Sequence, residues 1–369
     1  MYDKVTNPEN NNTALKVQEA IEQPNQVNED FLKKYKKNKA LSIDDYVDGI
    51  INGNRTILSK AITLVESSRY DHQEIAQQII ERCLPYASKS IRLGITGVPG
   101  VGKSSVIEAL GKMLTGTGHK VAVLAIDPSS ERSKGSILGD KTRMEELSTD
   151  VNAFIRPSPT AGSLGGVARK TREIIILCEA SGFDIVIVET VGVGQSEVVA
   201  HSMVDFFLLL QLANAGDELQ GIKRGIMEMA DAISINKAEG ENKQKAEIAA
   251  GQYRNALHLF PTTESGWQPV VFTCSAYSHE GIDNIWETVN EYVIHTKANG
   301  YFYKKRNEQN LRILSETIDS HLKENFYTNP NVKELILETR KDILENKISA
   351  YIAAQKLIDY YFNNIKNKE

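Results

Sequence analysis

Residues 97–104 read Gly97-Val98-Pro99-Gly100-Val101-Gly102-Lys103-Ser104, a complete G-x-x-x-x-G-K-S pattern. Glycines at these places let a backbone wrap closely around an anion, so that successive N–H groups and a helix N-terminus face it. The pattern predicts a polyphosphate cradle. Lys103 would reach the β and γ phosphates, the Ser104 hydroxyl would ligate Mg²⁺, and Ser105 would carry the loop into its helix. The bland alternative is a glycine-rich turn beside an ordinary lysine. Context argues against it, because an apolar run at 91–95 precedes the loop and a helical pattern opens at Ser104.

Acidic residues at further strand ends supply a metal side. The apolar run 121–126 leads into Asp127-Pro128-Ser129-Ser130. Asp127 could hold Mg²⁺, its waters or the attacking water, or simply cap a turn ahead of Pro128. Residues 135–143 form a polar, glycine-containing stretch, a candidate switch closing on the γ-phosphate with Asp140 as a second metal-side carboxylate. The run 184–188 ends in Glu189, the place of a Walker-B carboxylate, with Gly192 three residues on. Glu189 is longer than the usual Asp, which suits contact through water; its structural alternative is a loop cap. Lys103, Asp127 and Glu189 are therefore the catalytic candidates, and Ser104, Asp127, Asp140 and Glu189 the metal candidates.

Asn236-Lys237-Ala238-Glu239, after the run 232–235, resembles the N-K-x-D guanine-reading motif. A carboxylate there accepts from guanine N1–H and the 2-amino group; adenine offers neither donor, leaving a buried acceptor unpaired. Glu239 replaces the usual Asp. Its extra methylene means that the loop retreats slightly or that selectivity weakens. Cys274-Ser275-Ala276 closes the run 270–273, where a Ser-Ala turn would back guanine O6 through backbone N–H groups. Ser275, Ala276 and Tyr277 join the candidate nucleotide-binding set. His119, His201 and His279 stand alone and read as structural or surface groups, and Lys304-Lys305-Arg306 reads as a solvated helix start.

The elements that must hold these groups alternate. Apolar runs at 91–95, 121–126, 184–189, 206–210, 232–235 and 270–273 are separated by amphipathic stretches at 104–114, 166–180, 223–229, 243–257 and 282–295. Such alternation predicts an α/β fold with a mostly parallel sheet and helices on both faces, ligands binding beyond the carboxyl ends of its strands. The expected organisation is a polar tail and helical region over 1–88, the sheet domain over 89–299 and helices over 300–369. In the last zone Leu311, Leu314, Ile318 and Leu322 make one stripe, and an Asn329-Pro330 break separates a pair of long helices. Their apolar faces must dock on the chain's own core or on a second copy, with a dimer slightly favoured.

Composition excludes several classes. With 43 Lys and Arg against 48 Asp and Glu, the net charge of −5 gives no basic excess for nucleic acid. Three cysteines without a C-x-x-C pair argue against a disulfide framework or a zinc site and suit a reducing cytoplasm. No apolar stretch is long enough to span a bilayer, so no membrane association is expected.

Taken in order, the P-loop, Asp127-Pro128-Ser129-Ser130, residues 135–144, residues 189–197, Asn236-Lys237-Ala238-Glu239 and Cys274-Ser275-Ala276 resemble the MeaB/ArgK family of GTPases, within the SIMIBI class of P-loop proteins. The likeness runs from about Ile43 to the C-terminus. It implies GTP and GDP as ligands with Mg²⁺, and a chaperone role toward adenosylcobalamin-dependent acyl-CoA mutases, chiefly methylmalonyl-CoA mutase. Hydrolysis in such proteins gates cofactor loading and protects the mutase, and C-terminal helices make a homodimer. Residues 214–223 match a mobile loop of the family, placing Asp217, Glu218 and Lys223 as partner-coupling residues. Two other readings remain: a P-loop kinase acting on a transport-related protein, and a metal-insertion GTPase, which would be expected to carry the His-rich or Cys-pair sites this chain lacks.

Overall fold

A computed structural model describes residues 41–126, 144–158, 164–190, 196–213 and 224–366. Among these, seven strands build one all-parallel sheet: β1 (Ile91–Gly97), β2 (Val121–Ile126), β3 (Ala153–Ser158), β4 (Ile185–Thr190), β5 (Phe206–Leu212), β6 (Ala232–Asn236) and β7 (Val270–Thr273), in the order β3-β2-β4-β1-β5-β6-β7. A parallel sheet is covered on both faces, so its strands are apolar throughout rather than alternating. Every residue of β2 and β4 is buried accordingly. The chain leaves β1 toward β2 on one side and returns to β5 on the other, which makes the carboxyl end of β1 the switch point of the sheet.

Helices α1 (Ile43–Ile51), α2 (Arg55–Glu66), α3 (Tyr70–Cys83), α4 (Lys103–Gly116), α5 (Glu145–Thr149), α6 (Leu164–Ala180) and α7 (Ser196–His201) precede β5. Then come α8 (Arg224–Met229), α9 (Asn242–Leu257), α10 (Ile282–Ala298), α11 (Tyr301–Thr328), α12 (Pro330–Leu344) and α13 (Ala350–Lys366). On one face, Ile50, Leu58, Ile62 and Ile79 of the first three helices share a core with α6 and with Leu124, Val186 and Phe207 of the sheet. On the other face, Val106, Ile107 and Leu110 of α4 join Ile285 and Tyr292 of α10 over Leu93, Ile95 and Leu208.

Three features differ from the sequence expectation. β3 was absent from it, because Arg156 and Pro157 interrupt the apolar run. β3 is an edge strand: Val121 N–H donates to Asn152 C=O at 2.9 Å, so Asn152, Phe154 and Arg156 face β2 and Pro157 faces outward. Proline there forfeits no ladder bond and blunts the edge. Among the described residues, the C-terminal zone holds three helices, not two. Asn329 caps α12, accepting from Asn331 N–H at 3.0 Å and Val332 N–H at 3.3 Å, and a second break follows Leu344.

The third difference corrects the reading of Lys304-Lys305-Arg306 as solvated. Only Lys304 is exposed; Lys305 and Arg306 are buried. Arg306 donates from Nε and Nη2 to the two Asp205 carboxylate oxygens at 2.7 and 2.6 Å, and to the carbonyls of Ser88 and Ser90 at 2.8 and 2.6 Å. Lys305 Nζ donates to Asp205 C=O at 2.7 Å. The helix start turns inward because Asp205, at the head of β5, offers a buried partner that also accepts from Arg92 N–H at 2.8 Å. No described helix is long and apolar enough to cross a membrane.

Candidate functional site

The switch point carries the glycine loop. Gly97 ends β1 at φ 154°, and a Cβ there would stand 2.5 Å from Leu210 C=O. Gly102 caps α4 at φ 94°, and a Cβ there would meet Asn236 Nδ2 at 2.7 Å. Both positions demand glycine, for close approach and for a left-handed backbone. Lys103 is buried, its Nζ donating to Gly97 C=O at 2.8 Å and Val98 C=O at 3.2 Å, so the ammonium lies across the loop it belongs to.

Ser104 and Glu189 come from different motifs and meet here: Ser104 Oγ donates to Glu189 Oε1 at 3.0 Å. Glu189, 7% exposed, sits near the carboxyl end of β4 beside Ile95 of β1, and the next residue, Thr190, pairs with Thr96 hydroxyl to hydroxyl at 2.7 Å. A hydroxyl and a carboxylate side by side are hard oxygen donors of the kind Mg²⁺ takes. Asp127, Asp140, Gly192, Asp217, Glu218 and Lys223 lie outside the described residues.

The 236–239 loop is tied to the phosphate loop. Asn236 Nδ2 donates to Val101 C=O at 2.8 Å, and Lys237, at φ 61°, donates from Nζ to Gly100 C=O at 2.9 Å. Asn236 Oδ1 accepts from Ala276 N–H at 3.3 Å, and Ala238 N–H donates to Cys274 C=O at 3.0 Å. Three loops are thus knit together by three consecutive residues. Ser275 N–H is used internally, donating to Glu280 C=O at 2.8 Å. Among the described residues, Glu239 Oε2 is buried and has no hydrogen-bond partner. An orphaned buried acceptor in a loop of this kind fits a ligand that brings donors, as guanine does.

A cavity of about 420 Å³ runs from Gly102 and Ser105 past Glu108 to Glu239, Ala276 and Tyr277; Tyr277 is 88% exposed at its rim. Glu108 and Lys112 of α4 also line it and were missed in the sequence. Helical spacing from Ser105 is the signal that places them on this wall. A larger cavity, about 750 Å³, opens at the amino ends of β6 and β7 beside Asp231, Trp267 and Lys305. It shares no residue with the phosphate loop, so volume does not mark the site here; backbone chemistry does.

Phosphate-cradling backbone, lysine, serine and carboxylate converge at the one switch point, and that places the chain among the P-loop nucleoside triphosphatases. Residues 58–331 match the family model described as Methylmalonyl Co-A mutase-associated GTPase MeaB. A putative GTPase of Caulobacter vibrioides is 49% identical over 319 residues, covering 86% of this chain and 98% of its own. GTPase ArgK of Escherichia coli is 43% identical, with 84% and 93% covered. A mouse protein described as methylmalonic aciduria type A homolog, mitochondrial, is 44% identical, with 86% and 79% covered. A solved structure described as LAO/AO transport system kinase superposes with a TM-score of 0.69 at 36% identity, covering 86% of this chain and 97% of its own. The chain belongs to the MeaB/ArgK family of GTPases.

Proposed function

We propose that this GTPase binds and hydrolyses GTP to gate adenosylcobalamin loading and protection of an acyl-CoA mutase, methylmalonyl-CoA mutase in the first instance. The observation that carries the reading is the family match over 58–331, which spans the whole sheet and enters the C-terminal helices. The orphaned Glu239 oxygen supports the choice of guanine.

In this reading, backbone N–H groups of residues 97–105 take the phosphates, and Lys103 exchanges the Gly97 and Val98 carbonyls for phosphate oxygens. Asn236 and Lys237 hold the base loop against the cradle while Glu239 accepts from the base, with Ser275, Ala276 and Tyr277 closing the far side. Ser104 and Glu189, with Asp127 and Asp140, hold Mg²⁺ or its waters. The ion, when bound, offsets charge on the β and γ oxygens. Phosphoryl transfer depends on positioning and electrostatics, so a partner that orders the loops raises turnover. Asp217, Glu218 and Lys223 are the residues proposed to couple nucleotide state to that partner.

We further propose a homodimer through the C-terminal helices. Leu311, Leu314, Ile318 and Leu322 are 64, 59, 49 and 52% exposed and share one stripe of α11. Three free, buried cysteines, Cys83, Cys178 and Cys274, suit a reducing compartment, the cytoplasm in this reading.

Titration of the purified protein with methylmalonyl-CoA mutase, following phosphate release, tests the chaperone role. The expected result is a GTPase rate that changes saturably with mutase; an unchanged rate across the titration contradicts it. The solved relative described as a transport system kinase favours a second reading, phosphoryl transfer to a protein. Label from the γ-phosphate appearing on an acceptor, instead of as free phosphate, would establish that alternative.

A further inference from the structure

We infer that Glu108 reads the sugar of the nucleotide, accepting a hydrogen bond from a ribose hydroxyl and so favouring guanosine nucleotides over their 2′,3′-dideoxy analogues. The inference rests on the placement of GTP proposed above. Gly102, Ser105, Glu108 and Lys112 form one face of α4 and its cap, and that face is a wall of the 420 Å³ cavity. Phosphates held at one end by residues 97–105, and a base held at the other by Glu239 and Ala276, leave the sugar between them, along this wall.

Glu108 is built to accept there. Its Oε1 accepts from Glu146 N–H, in the first turn of α5, at 2.9 Å, which fixes the carboxylate on the wall. Its second oxygen has no hydrogen-bond partner among the described residues. A carboxylate anchored by one oxygen has the other already oriented, so a ligand hydroxyl meets it without further ordering. Lys112, one turn on, is drawn to Asp150 at 3.2 Å. An ionised carboxylate is acceptor-only, whereas the phosphates of a nucleotide offer no donors at neutral pH. The base donors are spoken for by Glu239. What remains to match Glu108 is the 2′ or 3′ hydroxyl of the ribose.

The bland alternative is that Glu108 only caps α5, and the two differ in what they predict. Isothermal titration of the full chain with Mg²⁺ and GDP, 2′-deoxy-GDP or 2′,3′-dideoxy-GDP separates them. The expected wild-type result is that loss of hydroxyls weakens binding by roughly ten-fold, the scale of one charge-assisted hydrogen bond. Glu108→Ala is expected to bind GDP as weakly as wild type binds the dideoxy analogue, with dideoxy affinity unchanged. Equal wild-type affinity for all three nucleotides overturns the inference without any variant. So does an equal loss for all three in Glu108→Ala, which is what a purely structural cap produces. Failure of wild type to bind any guanine nucleotide removes the site assignment itself, a distinct outcome.

Discussion

Glu239 holds a carboxylate oxygen that is buried and unpaired among the described residues, a condition that costs about 1–3 kcal/mol unless a ligand supplies a donor. Guanine supplies two. Glu239→Ala is therefore expected to weaken GDP binding by about ten- to hundred-fold and to bring it near that of ADP, whereas Glu239→Asp keeps most of the preference. Calorimetry with both nucleotides checks this; an Ala variant that still prefers GDP as strongly as wild type would sink the role given to this residue. At this scale the sequence is legible wherever contacts are local. The phosphate loop is eight consecutive residues, and the order of Lys103 and Ser104 is its own explanation. The base loop is equally contiguous. Glu108 escaped because its function depends on which face of α4 meets a cavity bounded by Glu239 and Ala276, far along the chain.

The start of α11 tests the element scale. Arg306 and Asp205 are 10 and 2% exposed at their side chains and form a two-point ion pair, with the Ser88 and Ser90 carbonyls accepting from two further guanidinium donors. Removing one partner leaves an uncompensated buried charge, so Arg306→Ala is expected to lower stability by about 3–5 kcal/mol in urea unfolding. A loss below about 1 kcal/mol would mean that the pair is exposed in solution. Asp231, just before β6, gives a pH signature. Burial pushes its carboxyl up from 3.8 to about 6, with Lys305 at 4.0 Å opposing the rise. Between these values the folded chain keeps a proton that the unfolded chain gives up. Stability therefore falls as pH rises from about 4 to 6, by roughly 2–3 kcal/mol for this group. Asp231→Asn removes that slope; unfolding measured for both proteins at pH 4 and 7 should show the wild type losing that much relative to the variant, and a constant difference contradicts the assignment. Elements with uninterrupted apolar runs, such as β2 and β4, were readable from the chain. β3 was not, since an edge strand tolerates Arg156 and Pro157. Arg306 was not either, since a charge run shows its burial only once Asp205 is seen across from it.

For the whole molecule, β1 links two ends of the fold. Its carboxyl end is the phosphate loop, and at its amino end Arg92 N–H and the Ser90 carbonyl join the Asp205 and Arg306 pair that anchors α11. The exposed stripe on α11 thus stands on a helix tied at its start to the sheet. If two copies pair through it, the double variant Leu314→Glu with Ile318→Glu is expected to sediment as a monomer while keeping nucleotide affinity. A wild type already monomeric at tens of micromolar would contradict the dimer. The stripe was visible in the sequence through its 3–4 spacing, yet what covers it is a matter of association and not of folding. The most direct test of the central claim is calorimetric titration of the intact protein with GTP, GDP and ATP, with and without Mg²⁺. The expected result is saturable binding of GTP and GDP, Mg²⁺-dependent for GTP, and no binding of ATP in the same range; equal uptake of ATP, or no uptake of guanine nucleotides, contradicts the guanine-binding site.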